Sequence, residues 1–321
     1  MRRTAPIACS IVLLLVTGVA AQDIREIADL NYGKDGHEGQ ILSAHLLVQE
    51  KPAPVMVFIN SGGWHSGHAG RNARGNHESR AFNQAGFSTV FVSHRDVDVA
   101  PWPAQIDDVS RAIQFIRSKE KDWNVDPKRF GVIGRSSGGH LAMMAGFLPD
   151  RAKPNSDDPV ERFSSKVNCV IEMAGPTDLV SQVKGIMRQA VEGNQGIGVR
   201  GSLMKLLNMT EDQAESEEFY RRLAEISPIN FVGKDTPPVF IQYVGPEDAT
   251  SPDDPRLKWA VHTPISGLQL AQKLEECSVP HEVLIVPDPK EREDEIIQSH
   301  IKFVKEHCGI KYTPMLRASK S

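Results

Sequence analysis

The sequence predicts an α/β protein with a mostly parallel central sheet, flanking helices and a helical insertion. Short apolar runs alternate with amphipathic segments along the chain, which is typical of strand–helix repeats. The run PVMVFIN at 54–60 is almost continuously apolar, as in strands buried on both faces of a parallel sheet. A further strand-like run at 129–133 leads through a glycine-rich turn into a helix-like segment at 139–145.

The alternation also gives the order of the elements. Segment 41–49 alternates apolar and polar residues, which predicts an early edge strand. Segment 103–119 carries apolar residues at intervals of three and four, which predicts a helix with one apolar face. The expected strands are 41–49, 54–60, 87–93, 129–133, 166–173, 238–244 and 282–286. The expected helices are 77–85, 103–119, 139–145, 265–276 and 293–307.

Segment 179–234 interrupts the alternation. It is rich in Gly, Gln, Glu and Arg and carries helical patches at 202–207 and 211–224. We interpret it as an insertion between strands, either a lid over the site or a surface excursion without a gating role. The folded domain is expected over 22–312, with a C-terminal tail at 313–321.

Residues 1–21 have the layout of a secretory signal peptide. Arg2 and Arg3 precede an apolar run, and small residues precede Gln22. The run is short for a membrane span, so we expect a secreted or periplasmic protein, with an uncleaved membrane tether as the alternative. Cleavage would remove two arginines and no acid, changing the formal net charge from −4 to −6. An acidic surface gives no electrostatic case for nucleic acid, and no later segment is apolar for long enough to span a membrane.

Cysteine and ligand patterns suggest neither a metal nor a cofactor. Cys169 lies in an apolar run and reads as a buried small hydrophobe, whereas Cys277 and Cys308 could pair in an oxidising compartment or remain free. His65 and His68 offer two metal ligands without a third at a convincing interval. The sequence also lacks a phosphate-binding glycine loop with its lysine.

The pentapeptide Gly134-Arg135-Ser136-Ser137-Gly138 lies between the expected strand and helix. Strand, Gly-x-Ser-x-Gly turn and helix together predict a nucleophile elbow, with Ser136 presented at the carboxyl edge of the sheet. The backbone N–H of Ser137 would then face a developing oxyanion. The alternative is a Gly/Ser turn without chemistry.

A second glycine loop follows the buried strand at 54–60. Gly62 and Gly63 lack Cβ atoms, so their backbone N–H groups can be approached closely by a substrate oxygen. We expect these two amides and that of Ser137 to form an oxyanion hole. The alternative is that the glycines only pack the loop.

These motifs resemble the α/β-hydrolase family, in particular its esterase and lipase branch with hormone-sensitive-lipase-like and feruloyl or acetyl-xylan esterase-like members. The resemblance covers about 40–307 and rests on SGGW at 61–64, PAQIDDV at 103–109 and NVDPKRFGVIGRSSGGHLA at 124–142. Esterases often carry His-Gly-Gly-Gly where this chain has Asn-Ser-Gly-Gly at 60–63. The resemblance implies an α/β-hydrolase fold and acyl transfer through Ser136.

The resemblance also implies a catalytic acid after the seventh strand. In PPVFIQYVGPED at 237–248, Asp248 occupies the expected position. The loop at 250–261 looks enlarged, which leaves Glu247, Asp253 and Asp254 as rivals. The alternative for each of these four acids is that it is a solvated loop residue without a catalytic role.

The catalytic histidine is where the sequence departs from the family. The last strand, HEVLIVP, runs into DPKERE at 288–293, so the usual histidine loop looks deleted. His262, just ahead of a helix in the enlarged loop, is the leading candidate base, and His300 in the terminal helix is the alternative base. His65 and His68 are further candidates, and the absence of any triad base also remains open. Structural roles are expected for His94, His140 and His281.

Two functions from different classes follow. The first is a secreted serine hydrolase that cleaves carboxylic esters through an acyl-serine intermediate, with short acyl or carbohydrate esters suggested by analogy alone. The second is a catalytically impaired homologue that acts as a binding or interaction protein, because the usual histidine is missing. A peptidase would share the nucleophile, but nothing in the sequence indicates an extended substrate channel.

Overall fold

A computed structural model of the chain describes residues 23–65, 76–190 and 197–312. The expected signal peptide, His68 and the expected tail at 313–321 lie outside these ranges. The strands are β1 (Ile24–Asn31), β2 (Ile41–Leu47), β3 (Ala53–Ile59), β4 (Ser88–Val92), β5 (Val125–Arg135), β6 (Cys169–Met173), β7 (Val239–Val244) and β8 (His281–Val286).

The helices lie mainly between the strands. They are α1 (His77–Gln84), α2 (Ala104–Ser118), α3 (Glu120–Trp123), α4 (Ser137–Phe147), α5 (Leu179–Ala190), α6 (Ile197–Leu206), α7 (Glu217–Glu225), α8 (Pro264–Glu276) and α9 (Glu293–His307). None of the helices in the described part of the chain combines the length and apolarity needed to cross a bilayer.

The eight strands form one sheet in the order β1-β2-β4-β3-β5-β6-β7-β8. Strands β1, β2 and β4 pair antiparallel, and the pairings from β4 through β8 are parallel. The predicted fold class is therefore confirmed. Because β3 and β5 are neighbours, their carboxyl ends bring the glycine loop and the elbow together.

The edge of the sheet differs from the prediction. Strand β1 covers β2, so the segment expected to be an edge strand is an inner strand. The sequence of β1, IREIADLN, is largely exposed and carries three charged residues, so it lacks the apolar alternation that predicts a strand. Backbone pairing to β2 determines its conformation.

Two apolar layers cover the sheet. One face packs against α2, α4 and α8, and the opposite face packs against α1 and α9. Every residue of β3 and β4 is buried, as expected for central parallel strands. This arrangement fixes the positions of the loops at the carboxyl edge.

The insertion at 179–234 contains α5, α6 and α7, and the two expected helical patches overlap α6 and α7. Nine of its apolar side chains belong to the larger core cluster, among them Leu203, Leu206, Phe219 and Leu223. The described insertion is therefore packed onto the domain.

Cys277 and Cys308 do not pair. Cys308 is buried with Cys169 in the core cluster on one face of the sheet, whereas Cys277 packs against the cluster on the other face. A hydrogen bond to Cys308, and then burial, raise the pKa of the Cys169 thiol. The sheet itself separates the two cysteines considered for pairing.

Glu172 is a buried carboxyl directly behind the elbow. It pairs in register with Gly134, and its Oε2 atom accepts a 2.8 Å hydrogen bond from the N–H of Gly175. Burial is the largest influence on this carboxyl and raises its pKa from 4.5 to about 8. Glu172 is therefore largely protonated at neutral pH, because burying its charged form is unfavourable.

Replacing Glu172 by glutamine should change how stability depends on pH. A carboxyl with a raised folded pKa stabilises the fold fully below about pH 4.5, and this contribution is lost as the pH rises towards 8. Glutamine does not titrate, so the stability of Glu172→Gln relative to the wild type should rise by on the order of 4 kcal/mol across this interval. Denaturant unfolding at several pH values measures the difference. Glu276→Gln removes an exposed carboxyl and is the control, and parallel profiles for Glu172→Gln and the wild type would contradict the assignment.

Candidate active site

Ser136 is held in a strained backbone conformation at the turn between β5 and α4. Its φ is 53° and its ψ is −124°, outside the regions that non-glycine residues favour. Its N–H donates to the carbonyl of Met173 at 2.9 Å, and its carbonyl accepts from the N–H of His140 at 3.0 Å. Strand β6 and helix α4 thus fix the turn from both sides.

Steric contacts explain both glycines of the pentapeptide. A Cβ on Gly134 would lie 2.1 Å from the carbonyl oxygen of Gly138. A Cβ on Gly138 would lie 2.6 Å from the carbonyl oxygen of Ile59, at the end of β3. The close approach at Gly138 places the elbow against the start of the glycine loop.

The expected oxyanion donors lie on these two adjoining segments. Gly62 and Gly63 have φ values of +117° and +68°, which residues with a Cβ rarely adopt. Ser137 is the first residue of α4, so its N–H has no acceptor within the helix and lies at the positive end of the helix dipole. The three amides can supply partial positive charge beside Ser136.

A buried histidine connects the glycine loop to α4. The indole Nε1 of Trp64 donates to His140 Nδ1 at 3.2 Å, and His140 Nε2 donates to the carbonyl of Ile226 at 2.7 Å. Burial lowers the pKa of His140 to about 4, so the ring is neutral with its proton on Nε2. The structural role expected for this residue matches its position, and it also contacts the insertion.

His65, at the end of the glycine loop, is held by two carboxylates. His65 Nδ1 lies 3.0 Å from Asp96 Oδ1 and 3.2 Å from Asp98 Oδ2. These three groups could hold a metal ion, since their ligand atoms lie within 4.8 Å of one another. Lys205 Nζ, however, lies 2.6 Å from Asp98 and already supplies a cation there. We therefore interpret the cluster as a set of contacts that holds the end of the glycine loop and engages the His65 ring with carboxylates.

His262 is the histidine that meets the serine. Its Nε2 lies 2.9 Å from Ser136 Oγ, although the two residues are 126 positions apart. Partial desolvation of this solvent-exposed ring, and then the positive charge of Arg135, lower the pKa of the imidazole from 6.5. A neutral ring can accept the serine proton at Nε2 while Nδ1 carries its own proton.

The acid expected beside that histidine is elsewhere. Asp248 is exposed, and its Oδ1 accepts a 2.8 Å hydrogen bond from Arg256. Among the residues that the structure describes, no carboxylate contacts His262. Arg256 also binds Asp254 and lowers the pKa of that carboxyl to about 2, while Glu247 pairs with Arg292. The enlarged loop thus occupies these acids with its own arginine and with Arg292, which explains why the expected Asp248–His262 contact is absent.

Contacts from α5 hold the loop that carries the histidine. Buried Gln182 donates through Nε2 to the carbonyl of Val261 at 2.6 Å, one residue before His262. The indole of Trp259 lies so close to Gly185 that an added Cβ would be 2.1 Å from it. One residue after the histidine, Thr263 caps α8 and its hydroxyl donates to the carbonyl of Lys258 at 2.8 Å. The backbone on both sides of the imidazole is therefore fixed.

His300, the alternative base, lies in a different part of the molecule. It is buried on the α1–α9 face of the sheet, where its Nδ1 lies 2.6 Å from Glu78 Oε1 and its ring meets Phe240 edge-on. It cannot reach Ser136 from there. Of the candidate bases in the described ranges, the structure brings His262 to the serine and leaves the rings of His65 and His300 in contact with carboxylates elsewhere.

Sequence reasoning missed the residues that position the site. Gln182 and Trp259 belong to the insertion and to the enlarged loop, and neither lies in a motif. The one sequence signal for Gln182 was its place in α5, a helix of high amphipathicity whose buried side faces the domain. Its contact with Val261 joins residues far apart in the chain, so no local pattern reveals it.

Comparison with known proteins supports this architecture. The chain is 25% identical over 240 residues to the probable carboxylic ester hydrolase LipM of Mycobacterium tuberculosis, covering 72% of this chain and 50% of LipM. It is 26% identical over 169 residues to an acetylxylan esterase of Xylanibacter ruminicola, covering 49% of this chain and 33% of that protein. The chain thus spans half or less of the length of these curated relatives.

Solved structures agree in fold. A truncated carbohydrate esterase from gut microbiota superposes with a TM-score of 0.70 at 21% identity, covering 89% of this chain and 96% of that one. An acetyl ester-xyloside bifunctional hydrolase from Caldicellulosiruptor lactoaceticus gives a TM-score of 0.65 at 24% identity, covering 84% and 89%. The BD-FAE family model matches residues 46–254, a span that includes the glycine loop and the elbow and ends before His262. Since that match covers more than half of the sequence, the chain belongs to the BD-FAE family and has the α/β-hydrolase fold of the esterases it resembles.

Proposed function

We propose that this protein is a serine hydrolase that cleaves carboxylic esters through an acyl-serine intermediate. The observation that carries the proposal is the 2.9 Å separation between Ser136 Oγ and His262 Nε2. A serine hydroxyl is a weak nucleophile until an adjacent base accepts its proton. The relatives named as esterases support the same reaction class.

The reaction would proceed in two acyl transfers. Ser136 Oγ attacks the ester carbonyl while its proton moves to His262 Nε2, and the carbonyl oxygen becomes an oxyanion. The amides of Gly62, Gly63 and Ser137 would stabilise that charge. Collapse of the intermediate expels the alcohol, which takes the proton from His262. Water then attacks the acyl-serine by the reverse sequence, releasing the carboxylic acid and restoring Ser136.

The base in this proposal is oriented mainly by backbone anchoring. In a triad, a carboxylate fixes the tautomer of the histidine and stabilises the imidazolium that forms. Here Gln182 and Thr263 hold the adjoining backbone, and no described carboxylate contacts the ring. The pKa of His262 is lowered by burial and by Arg135, which keeps the ring neutral and able to accept a proton at neutral pH.

The substrate class and location are proposed on composition and relatives. The names of an acetylxylan esterase and of a carbohydrate esterase among the similar proteins favour short acyl esters on carbohydrate. The N-terminal layout of residues 1–21 favours export. The competing idea of a binding protein without turnover arose from the missing histidine loop. It loses its main support if the loop after β7 supplies the base.

Removing either reacting group should abolish ester hydrolysis. We expect Ser136→Ala and His262→Ala each to lower kcat for para-nitrophenyl acetate by about 10⁴-fold or more, because each removes part of a unit that acts together. Ser136→Ala should also prevent labelling by a fluorophosphonate. His307→Ala, a change on α9, is the control and should retain full activity. Equal rates for the wild type and Ser136→Ala would remove the serine from the mechanism.

Two further variants test how the histidine is oriented. Gln182→Met keeps the side-chain volume and removes the donor to Val261, so kcat should fall about 10- to 100-fold with little change in KM. Asp248→Asn should change kcat less than about threefold, whereas loss of an orienting triad carboxylate lowers it about 10⁴-fold. Steady-state kinetics of both variants report whether His262 is misplaced. Their free energies of unfolding report whether the fold itself is destabilised. A thousandfold loss in Asp248→Asn would restore the expected role of Asp248.

A further inference from the structure

An exposed arginine stands immediately before the nucleophile. Arg135 is the last residue of β5, and it is the only residue between Gly134, which must be glycine for steric reasons, and Ser136. Its side chain is exposed at the carboxyl edge of the sheet. Its charge reaches the imidazole of His262, since it contributes to the lowered pKa of that ring. Its backbone adjoins that of Ser136, so the exposed side chain extends from the residue next to the reacting pair.

This cation has no counter-charge within the described part of the chain. No hydrogen bond or ion pair joins Arg135 to any residue there, whereas three acids of the loop after β7 are paired with other arginines. Asp248 and Asp254 bind Arg256, and Glu247 binds Arg292. Glu172, behind the elbow, is buried and largely protonated, so it supplies little negative charge from inside.

An unpaired cation here opposes the proposed chemistry unless a ligand uses it. A positive charge close to His262 disfavours the imidazolium that forms during acyl transfer. A substrate anion near the guanidinium would offset that effect and would gain a charge-assisted hydrogen bond from a planar group suited to carboxylates. Acyl transfer from neutral esters is therefore disfavoured by this charge, and acyl transfer from anionic esters is favoured.

We propose that Arg135 binds a carboxylate of the substrate, so that the protein prefers esters carrying an acidic group close to the scissile bond. This inference rests on the proposed ester hydrolysis at Ser136. The carboxylate could belong to the acyl group, as in a dicarboxylic half-ester, or to the alcohol, as in an acylated acidic sugar. Both sources present the same chemistry to the guanidinium.

Matched ester pairs distinguish the two sources. On the acyl side, the para-nitrophenyl half-ester of glutaric acid is compared with para-nitrophenyl valerate. On the alcohol side, para-acetoxybenzoate is compared with para-acetoxybenzamide. For each pair, the ratio of kcat/KM for the anionic ester to that for the neutral ester is measured in the wild type, Arg135→Gln and Arg135→Lys.

We expect the ratio to fall about 10-fold in Arg135→Gln for at least one pair, and to be partly retained in Arg135→Lys, which keeps the charge but not the planar fork. The affected pair identifies the side of the ester that carries the carboxylate. High salt should lower the wild-type ratio, because a partly exposed charge contact is screened. The control is Arg80→Gln, which removes the same charge from an exposed position on α1. Helix α1 packs on the face of the sheet opposite to α4, so this variant should leave the ratio unchanged.

Equal ratios in the wild type and Arg135→Gln for both pairs, with normal turnover of the neutral esters, would overturn this inference and leave the proposed hydrolysis intact. An equal fall in Arg80→Gln would also overturn it, since overall charge would then explain the preference. If the wild type turns over none of the four esters and Ser136 is not labelled by a fluorophosphonate, the proposed hydrolysis fails first and this inference fails with it.

Discussion

The hydrogen bond between Ser136 Oγ and His262 Nε2 is the contact on which the proposed chemistry depends. It joins two loops that are 126 residues apart in the chain, so neither loop can form it alone. The serine is fixed locally by a strained turn between β5 and α4. The histidine is carried by a long loop after β7, which requires anchors from elsewhere in the fold to hold one position.

The insertion supplies those anchors. Gln182 of α5 binds the backbone just before His262, and the carbonyl of Ile226, after α7, accepts from His140 beneath the glycine loop. The same inserted segment therefore supports both the base and the oxyanion donors. We interpret it as part of the scaffold of the site, and this view requires no lid motion. It also explains how the fold can do without the histidine loop that usually follows the last strand.

Much of the fold and half of the site could be predicted from the sequence, because both depend on local patterns. Buried strands, amphipathic helices and the elbow are properties of short segments, and Ser136 follows from them directly. Strand β1 was missed because its charged, exposed sequence gives no strand signal. The expected contact between Asp248 and His262 is absent, because Arg256 binds Asp248 and Asp254 within the enlarged loop. The sequence left His262 as one of several candidate bases, because its position beside Ser136 depends on contacts between segments that are far apart in the chain.

The roles of Ser136 and His262 can be tested with a crystal structure of the protein after reaction with a small organophosphonate. We expect a covalent bond from phosphorus to Ser136 Oγ, a phosphonyl oxygen within hydrogen-bond reach of the Ser137 amide and a glycine-loop amide, and His262 Nε2 beside the adduct. An adduct on another residue, or an adduct on Ser136 with the His262 ring turned away and a different base in its place, would contradict it.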